Sequence, residues 1–181
     1  MMTLISGTNR RGSKTRLVTD LVANLYREAG AKVDVLDLVD LPLALFSPDA
    51  YAEKPSEFGL FAEQILKSEG LVVLTPEYNG SMPGALKLFI DHLKFPESFE
   101  GRPVAFIGLA AGQWGGLRAV EQLQQIFGYR NAFIYPRRVF IPQVYRAIND
   151  SGHLTDPEVE RHLRAQTDGF LGFVQALRAG S

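Results

Sequence analysis

The sequence contains no cysteine among its 181 residues. This absence excludes disulfide bonds, thiolate catalysis and cysteine-ligated zinc or iron–sulfur centres. Histidine is also scarce, and His92, His153 and His162 lie outside the three loops in which glycine, proline and polar residues concentrate. We expect these histidines at helix surfaces or in loops rather than in catalysis, and no metal site is predicted.

Charge of one sign is not in excess either, because 19 basic and 20 acidic residues leave a net charge of −1. A balanced chain has no bulk attraction for nucleic acid or for an anionic membrane, so neither is expected as a partner. No apolar run approaches the ~20 residues of a membrane-spanning helix. The first residues, MMTLISGTNR, lack the charged start and the long apolar stretch of a signal peptide. We therefore predict a soluble, cytoplasmic protein.

Hydrophobic residues make up 46% of the chain, enough for one core, and we predict a single domain over residues 1–181. Short apolar runs alternate with longer segments of helical period. Strands are predicted at 2–6, 32–38, 71–75, 103–110 and 131–135, and helices at 13–29, 57–68, 83–93, 116–127 and 156–177. This alternation predicts an α/β fold, a doubly wound five-stranded parallel sheet of strand order 2-1-3-4-5 with helices on both faces.

Several features lie outside this regular pattern. Thr155 is expected to cap the last helix. The helix at 83–93 is apolar around more than one face, which predicts burial against something beyond its own sheet. Residues 39–55 and 136–152 are longer than typical connections. The sequence leaves open whether these two stretches cover a site, form an interface or are simple insertions.

Loop 1, residues 7–15, reads GTNRRGSKT and follows the first predicted strand. Its spacing approaches that of a nucleotide-triphosphate P-loop, G-x-x-x-x-G-K-[ST], but Ser13 separates the second glycine from Lys14. The candidate strands end LVVLTPE and FIGLAAG, and neither has the aspartate that would help to hold magnesium, which leaves Glu77 as the one acidic substitute there. A phosphate cradle of another kind fits better, because Arg10 and the free N–H groups of a helix capped by Ser13 or Thr15 favour an anion. An ordinary capped helix is the structural alternative.

Two further loops leave the carboxyl ends of neighbouring strands, where ligands bind in such sheets. Loop 2, TPEYNGSMPG at residues 75–84, is stiffened by prolines and offers the ring of Tyr78 to a flat ligand. Loop 3, AAGQWGG at residues 110–116, is rich in glycine, so its backbone can approach a ligand closely. With loop 1 they predict a pocket for a phosphate-bearing planar ring. A rigid turn and a flexible connection are the plain alternatives for loops 2 and 3.

Three segments resemble signature regions of the NADPH-dependent FMN reductases: SGTNRRGSKTRL, LTPEYNGSMPGALKLFIDHL and GLAAGQWGGLRAVEQLQQIF. This flavodoxin-like family includes bacterial quinone, chromate and azo-dye reductases. The resemblance runs along nearly the whole chain, and VFIPQVYRAINDSGHLTD is similar to the family's C-terminal part. The run P-E-Y-N after a buried strand is its most specific element.

The resemblance implies FMN as the cofactor and NADPH or NADH as the co-substrate. Loop 1 would hold the FMN phosphate through Thr8, Arg10, Ser13, Lys14 (by its backbone) and Thr15. Loop 2 would line the isoalloxazine and ribityl side with Pro76, Glu77, Tyr78 and Asn79. Loop 3 would meet the far edge of the ring with Gly112, Gln113, Trp114 and Gly115. The side chain of Lys14 is expected to face solvent, and Trp114 is larger than the family pattern suggests.

By the same resemblance the protein would pass hydride from the nicotinamide to FMN and then to a small-molecule acceptor, such as a quinone, an azo dye, a metal oxyanion or a free flavin. No side chain is expected to act as an acid or a base. A homodimer or homotetramer is implied. The main alternative is an FMN-binding electron carrier that does not oxidise NAD(P)H, although the chain lacks the T-x-T-G-x-T loop and the acidic surface usual in flavodoxins. A scaffold without flavin is the third hypothesis.

Overall fold

Alternating strands and helices produce the predicted parallel sheet between two helical layers. The computed structural model describes residues 1–180. Its strands are β1 (Met2–Ser6), β2 (Val33–Asp37), β3 (Gly70–Pro76), β4 (Pro103–Leu109), β5 (Phe133–Ile134) and β6 (Val139–Ile141). Its helices are α1 (Lys14–Glu28), α2 (Phe58–Leu66), α3 (Gly84–His92), α4 (Leu117–Tyr129), α5 (Val144–Ala147) and α6 (Pro157–Ala179). The order β2-β1-β3-β4-β5 confirms the prediction, and β6 pairs with β4 as well.

The two central strands, β3 and β4, are buried along their whole length. Successive side chains of β3 point to opposite faces, so Val72 and Leu74 join the core under α1 and α6. Leu71 and Val73 join the second core, under α2, α3 and α4. A strand covered on both faces needs an unbroken apolar run rather than alternation. The parallel pairing then brings the carboxyl ends of β1, β3 and β4 to one edge of the sheet.

The predicted fifth strand at 131–135 is wrong in its extent. β5 has only two residues and pairs with the first two residues of β4. The end of β4 is paired instead by β6, which lies in the stretch 136–152 that the sequence left irregular. Pro136 lacks the N–H that a continued strand would donate, so β5 ends there. The second short strand, β6, continues the pairing along β4.

Helix α3 is covered on its second face by the chain itself. The stretch 39–55 folds into short 3₁₀ turns that place Tyr51 over the end of α3. The ring of Tyr51 stacks on that of His92 with centroids 4.5 Å apart, and Phe58 of α2 meets His92 edge-on at 5.9 Å. The apolar surface of α3 is therefore explained within one chain and gives no independent support for a partner subunit.

His92 is buried, and the expectation that it lies at a helix surface is wrong. The residue is 2% exposed, and within residues 1–180 neither Nδ1 nor Nε2 meets a hydrogen-bond partner. Loss of solvation lowers the pKa of His92; the charge of Lys54 adds to this effect and that of Asp91 opposes it. The imidazole is therefore neutral in the folded protein over a wider pH range than a free histidine.

This burial predicts that acid destabilises the protein through His92. Below the ordinary pKa of 6.5 the unfolded chain takes up a proton on His92, whereas the folded chain does so only below its lowered pKa. The free energy of unfolding should fall as the pH drops from 6.5 to the lowered pKa of His92 in the folded protein, and should then level off. Chemical unfolding above and below pH 6.5 should show a smaller acid loss in His92→Phe than in the wild type. Equal losses would contradict the assignment, because His153 and His162 are present in both proteins.

The N-cap of α6 is Asp156, and the prediction of Thr155 is wrong by one residue. The carboxylate of Asp156 accepts hydrogen bonds from the N–H groups of Glu158 at 2.9 Å and Val159 at 3.4 Å. A carboxylate also complements the positive end of the helix dipole better than a hydroxyl does. Thr155 instead donates its hydroxyl to the carbonyl of Arg146. Across residues 1–180 no helix is both long enough and apolar enough to cross a membrane.

Candidate functional site

A cavity of about 240 Å³ opens at the carboxyl ends of β1, β3 and β4. In a 2-1-3-4-5 sheet this edge is the switch point, where connections leave to opposite faces and a crevice forms. Predicted site residues from loops 1 and 2 line it: Arg10, Ser13, Lys14, Thr15, Pro76, Glu77 and Tyr78. The rest of the wall is Gly12, Leu109, Ala110, Ala111, Val144 and Tyr145. A larger cavity of about 570 Å³, between α1, residues 151–154 and the start of α6, contains none of the predicted site residues.

Loop 1 runs tightly against β3 because Gly7 has no side chain. The N–H of Gly7 donates to the carbonyl of Leu74 at 2.9 Å, and a Cβ atom on Gly7 would lie only 2.4 Å from that oxygen. The loop then turns at Gly12, whose φ of +66° lies in the left-handed region that glycine adopts without strain. These two glycines direct the chain into the start of α1.

The start of α1 presents unpaired hydrogen-bond donors to the cavity. Ser13, one of the two predicted caps, is the N-cap and accepts a hydrogen bond from the N–H of Arg16 at 3.4 Å. Within the described part of the chain, no protein group accepts a hydrogen bond from the N–H groups of residues 13–15. Free donors at a helix N-terminus carry partial positive charge. The exposed side chain of Arg10 lines the same cavity, and guanidinium binds phosphate through two donors.

Thr8 lies behind the cavity wall and positions Tyr78, which is part of the wall. Thr8 is fully buried, and its Oγ1 lies 3.1 Å from the hydroxyl oxygen of Tyr78. The same Oγ1 accepts a hydrogen bond from the N–H of Arg10 at 3.2 Å. One threonine hydroxyl therefore joins loop 1 to loop 2.

The side chain of Lys14 does not face solvent, so that expectation is wrong. It is only 11% exposed. Its ammonium group donates to the carbonyl of Ile148 at 3.2 Å and to Oδ1 of Asp150 at 2.8 Å. This hydrogen bond and the charge of Lys14 lower the pKa of Asp150. The backbone N–H of Lys14, by contrast, is one of the free donors at the start of α1.

Loop 2 contains a tight two-residue turn at Asn79-Gly80. Tyr78 and Ser81 exchange backbone hydrogen bonds of 2.9 and 3.1 Å across it. The φ angles of Asn79 and Gly80, +52° and +75°, are those of the type I′ turn that an Asn-Gly pair favours. Asn79 consequently lies at the tip of the turn and not in the wall of the cavity.

Glu77 lines the cavity, but its carboxylate binds the first turn of α4. Oε2 accepts a hydrogen bond from the backbone N–H of Arg118 at 3.2 Å, and Oε1 accepts one from its guanidinium at 3.3 Å. The side chain of Glu77 is mostly buried, so water screens this pair less than it screens a surface ion pair. The carboxylate therefore fixes loop 2 against α4 and its charge is compensated.

Loop 3 reaches the cavity only with its first residues, Ala110 and Ala111. The predicted residues of this loop lie outside the wall: Gly112, Gln113, Trp114 and Gly115. The reason is the turn that follows, because Gly116 has a φ of +87° and packs against the end of β4. A Cβ atom on Gly116 would lie 2.6 Å from the backbone nitrogen of Leu109. Trp114 is exposed at the surface of this turn.

Val144 and Tyr145 are residues of the wall that sequence reasoning missed. They belong to α5, so the stretch 136–152 covers the site instead of being a simple insertion. The N–H of Val144 donates to the carbonyl of Ala110 at 3.0 Å, which joins α5 to loop 3. The available signal was the similarity of VFIPQVYRAINDSGHLTD to the C-terminal part of the reductase family.

A parallel sheet with an anion cradle between β1 and α1 at the switch point defines a flavodoxin-like protein. The family described as NADPH-dependent FMN reductase matches residues 1–146. The NAD(P)H-dependent FMN reductase of Pseudomonas aeruginosa is 31% identical over 178 residues, which cover 96% of this chain and 95% of the relative. The quinone reductase of Escherichia coli K12 is 31% identical over 179 residues, with 95% and 94% covered. The chain belongs to the NADPH-dependent FMN reductase family.

A solved structure shows the same fold. FerB, a flavoenzyme NAD(P)H:(acceptor) oxidoreductase from Paracoccus denitrificans, superimposes with a TM-score of 0.82 at 24% sequence identity. The superposition covers 97% of each chain, so the helices and strands that surround the cavity have counterparts along nearly the whole length.

Proposed function

We propose that this protein is an FMN-dependent NAD(P)H oxidoreductase that reduces a small-molecule acceptor. The observation that carries the proposal is the anion cradle at the start of α1, in a chain of the NADPH-dependent FMN reductase family. Quinones are the first acceptor class to test, because a relative with 31% identity is named a quinone reductase. Azo dyes, metal oxyanions and free flavins are further candidates.

The residues present fit FMN. A phosphate needs donors and no free carboxylate beside it, and the acidic residue of the cavity wall, Glu77, is bound by Arg118. A flavin ring needs flat and apolar surface, which Pro76, Tyr78 and Leu109 supply. The cavity of about 240 Å³ is smaller than the roughly 300–1,000 Å³ of pockets that enclose a ligand. FMN would therefore extend through the mouth of the cavity, and the nicotinamide and the acceptor would meet its protruding part there.

The role of the chain is to bind and orient FMN and the two substrates. No side chain of the cavity wall is proposed as an acid or a base. FMN, when bound, supplies the hydride and electron transfer between the nicotinamide and the acceptor. The N–H groups of residues 13–15 and Arg10 would hold the phosphate. The Thr8–Tyr78 hydrogen bond fixes an aromatic wall, and the Glu77–Arg118 pair fixes loop 2.

The colour of the purified protein tests this function. The protein should be yellow, and NADPH or NADH without oxygen should bleach its flavin absorbance, which a quinone should then restore. A colourless protein that also fails to bind added FMN would overturn the proposal. Bound FMN that both nicotinamides leave oxidised would indicate an electron carrier, the reading that family membership does not favour.

The proposal extends to the organisation of the protein. We place a single domain over residues 1–181 in the cytoplasm, as a homodimer or homotetramer. Exposed apolar residues on and beside the stretch 39–55 support association: Leu43, Phe46, Tyr51 and Leu60. Sedimentation equilibrium measures the oligomeric state. Steady-state rates for a panel of acceptors, each with NADPH and with NADH, measure which acceptor and which nicotinamide the protein prefers.

A further inference from the structure

Residues 143–154, here called the strap, connect loop 3 to loop 1 across the carboxyl edge of the sheet. At the loop 3 end, the backbone N–H of Gln143 donates to the carbonyl of Gly112 at 3.1 Å. At the loop 1 end, the ammonium group of Lys14 donates to Asp150 at 2.8 Å. Between these ends the strap contributes Val144 and Tyr145 to the cavity wall.

At the loop 1 end of the strap, the side chain of Lys14 makes the polar contacts, and Ile148 is buried in the core. Besides Asp150, the Lys14 ammonium contacts the carbonyl of Ile148 at 3.2 Å and lies 5.9 Å from the centroid of the Tyr145 ring. The second distance is within the range of a cation–π interaction. A carboxylate, a carbonyl and an aromatic ring of the strap therefore surround the same cation.

Lys14 is not a spare charge for a bound anion. Its ammonium is committed to the strap and largely removed from water, whereas its neighbour Arg11 carries the same charge on an exposed side chain. The backbone N–H of Lys14 belongs to the anion cradle. One residue thus has its backbone in the cradle and its side chain in contact with the strap, which links the two parts.

We propose that Lys14 is a positioning residue that ties the anion cradle to the strap, and that Tyr145, held by this tie at the mouth of the cavity, limits the size of the acceptor. Tyr145 is 61% exposed while lining the cavity, so its ring stands between the interior and solvent. The role of Tyr145 rests on the proposed function, whereas the tie does not.

Amide hydrogen exchange of the flavin-free protein tests the tie. The N–H groups of Asn149 and Gly152 are bonded inside the strap, to His153 and Asn149 respectively. In Lys14→Met they should exchange about tenfold faster, because opening no longer breaks a charged hydrogen bond. Arg11→Met removes the same charge from the same loop and should leave them unchanged.

Two more variants distinguish loss of the tie from a general folding defect. Lys14→Arg keeps a charged donor and should restore most of the protection. Asp150→Asn alters only an exposed side chain and should give a smaller acceleration in the same amides, reproduced in the wild type by high salt. Equal exchange in Lys14→Met and Arg11→Met, or in Asp150→Asn and the wild type, would overturn the tie.

Steady-state kinetics test the role of Tyr145. Tyr145→Ala should raise kcat/KM for the bicyclic quinone menadione relative to benzoquinone by about tenfold, mainly through KM, because removing the ring at the mouth leaves room for the larger quinone beside the protruding part of the flavin. Lys14→Met should move this ratio in the same direction. An unchanged ratio in Tyr145→Ala would overturn the size limit. A wild-type protein that reduces neither quinone would overturn it together with the proposed function, while the exchange result still decides the tie.

Discussion

Replacing Gly7 by alanine should lower the free energy of unfolding by about 3 kcal/mol, the upper part of the usual cost of overpacking. The added Cβ would lie 2.4 Å from the carbonyl oxygen of Leu74 and 3.0 Å from a methyl carbon of Leu86. Leu74 belongs to the buried strand β3, so its oxygen cannot retreat without disturbing the sheet. Loop 1 must move instead, which breaks the 2.9 Å hydrogen bond from Gly7 to that oxygen.

Chemical unfolding measures this loss, and Gly59→Ala is its matched control. No atom lies within 4 Å of a Cβ built on Gly59 in α2. The same methyl group there should leave stability unchanged or raise it by up to about 1 kcal/mol through helix propensity. Gly7→Ala should also bind FMN more weakly, because the displaced loop carries the cradle. A Gly7→Ala protein as stable as the wild type would show that loop 1 can shift freely away from β3.

The central sheet could be predicted because burial on both faces leaves a strong local pattern. The runs at 71–75 and 103–110 are unbroken because both helical layers cover them. The alternation of strands with helices then predicted the parallel strand order. Ser13 and the Asn79-Gly80 turn were equally accessible, since a cap and a tight turn depend on a few adjacent residues.

Contacts between distant residues left no such pattern. Lys14 and Asp150 are separated by 136 positions, so nothing around loop 1 indicates where the ammonium group goes. The polar imidazole of His92 gave no sign of burial, and the fold of the stretch 39–55 brings Tyr51 over it. β6 has three residues, too few for alternation to distinguish it from a loop.

The candidate site also has a part that could be predicted from the sequence and a part that could not. Loops 1 and 2 supply the predicted part of the cavity wall because strand–helix connections at a switch point must meet there. The role predicted for residues 112–115 of loop 3 stays a prediction, since these residues lie outside the wall of the cavity, where Gly116 packs against the end of β4. The α5 segment was under-predicted, because its place in the wall depends on backbone bonds to loop 3.

Removing the charge of Arg10 should weaken FMN binding by roughly 10- to 100-fold and leave riboflavin binding nearly unchanged. Hydrogen bonds between charged groups contribute about 1.5–3 kcal/mol each, and every 1.4 kcal/mol is about tenfold in affinity. Riboflavin is FMN without the phosphate, so it cannot use this contact. Arg10→Met keeps the aliphatic part of the side chain, and Arg11→Met removes an equal charge from a residue outside the cavity wall.

FMN and riboflavin are each titrated with the flavin-free variants, and the quenching of flavin fluorescence reports binding. The titrations give the ratio of the dissociation constants for riboflavin and FMN. Arg10→Met should reduce the preference for FMN over riboflavin strongly, and Arg11→Met should reduce it slightly and only at low salt. An equal loss for both ligands would mean that Arg10 shapes the loop without binding phosphate. An equal loss of FMN preference in Arg10→Met and Arg11→Met would mean that FMN affinity depends only on the total charge of loop 1. Because both ligands are measured on one protein sample, a partial loss of folded protein cancels in the ratio, and what remains is the phosphate contact.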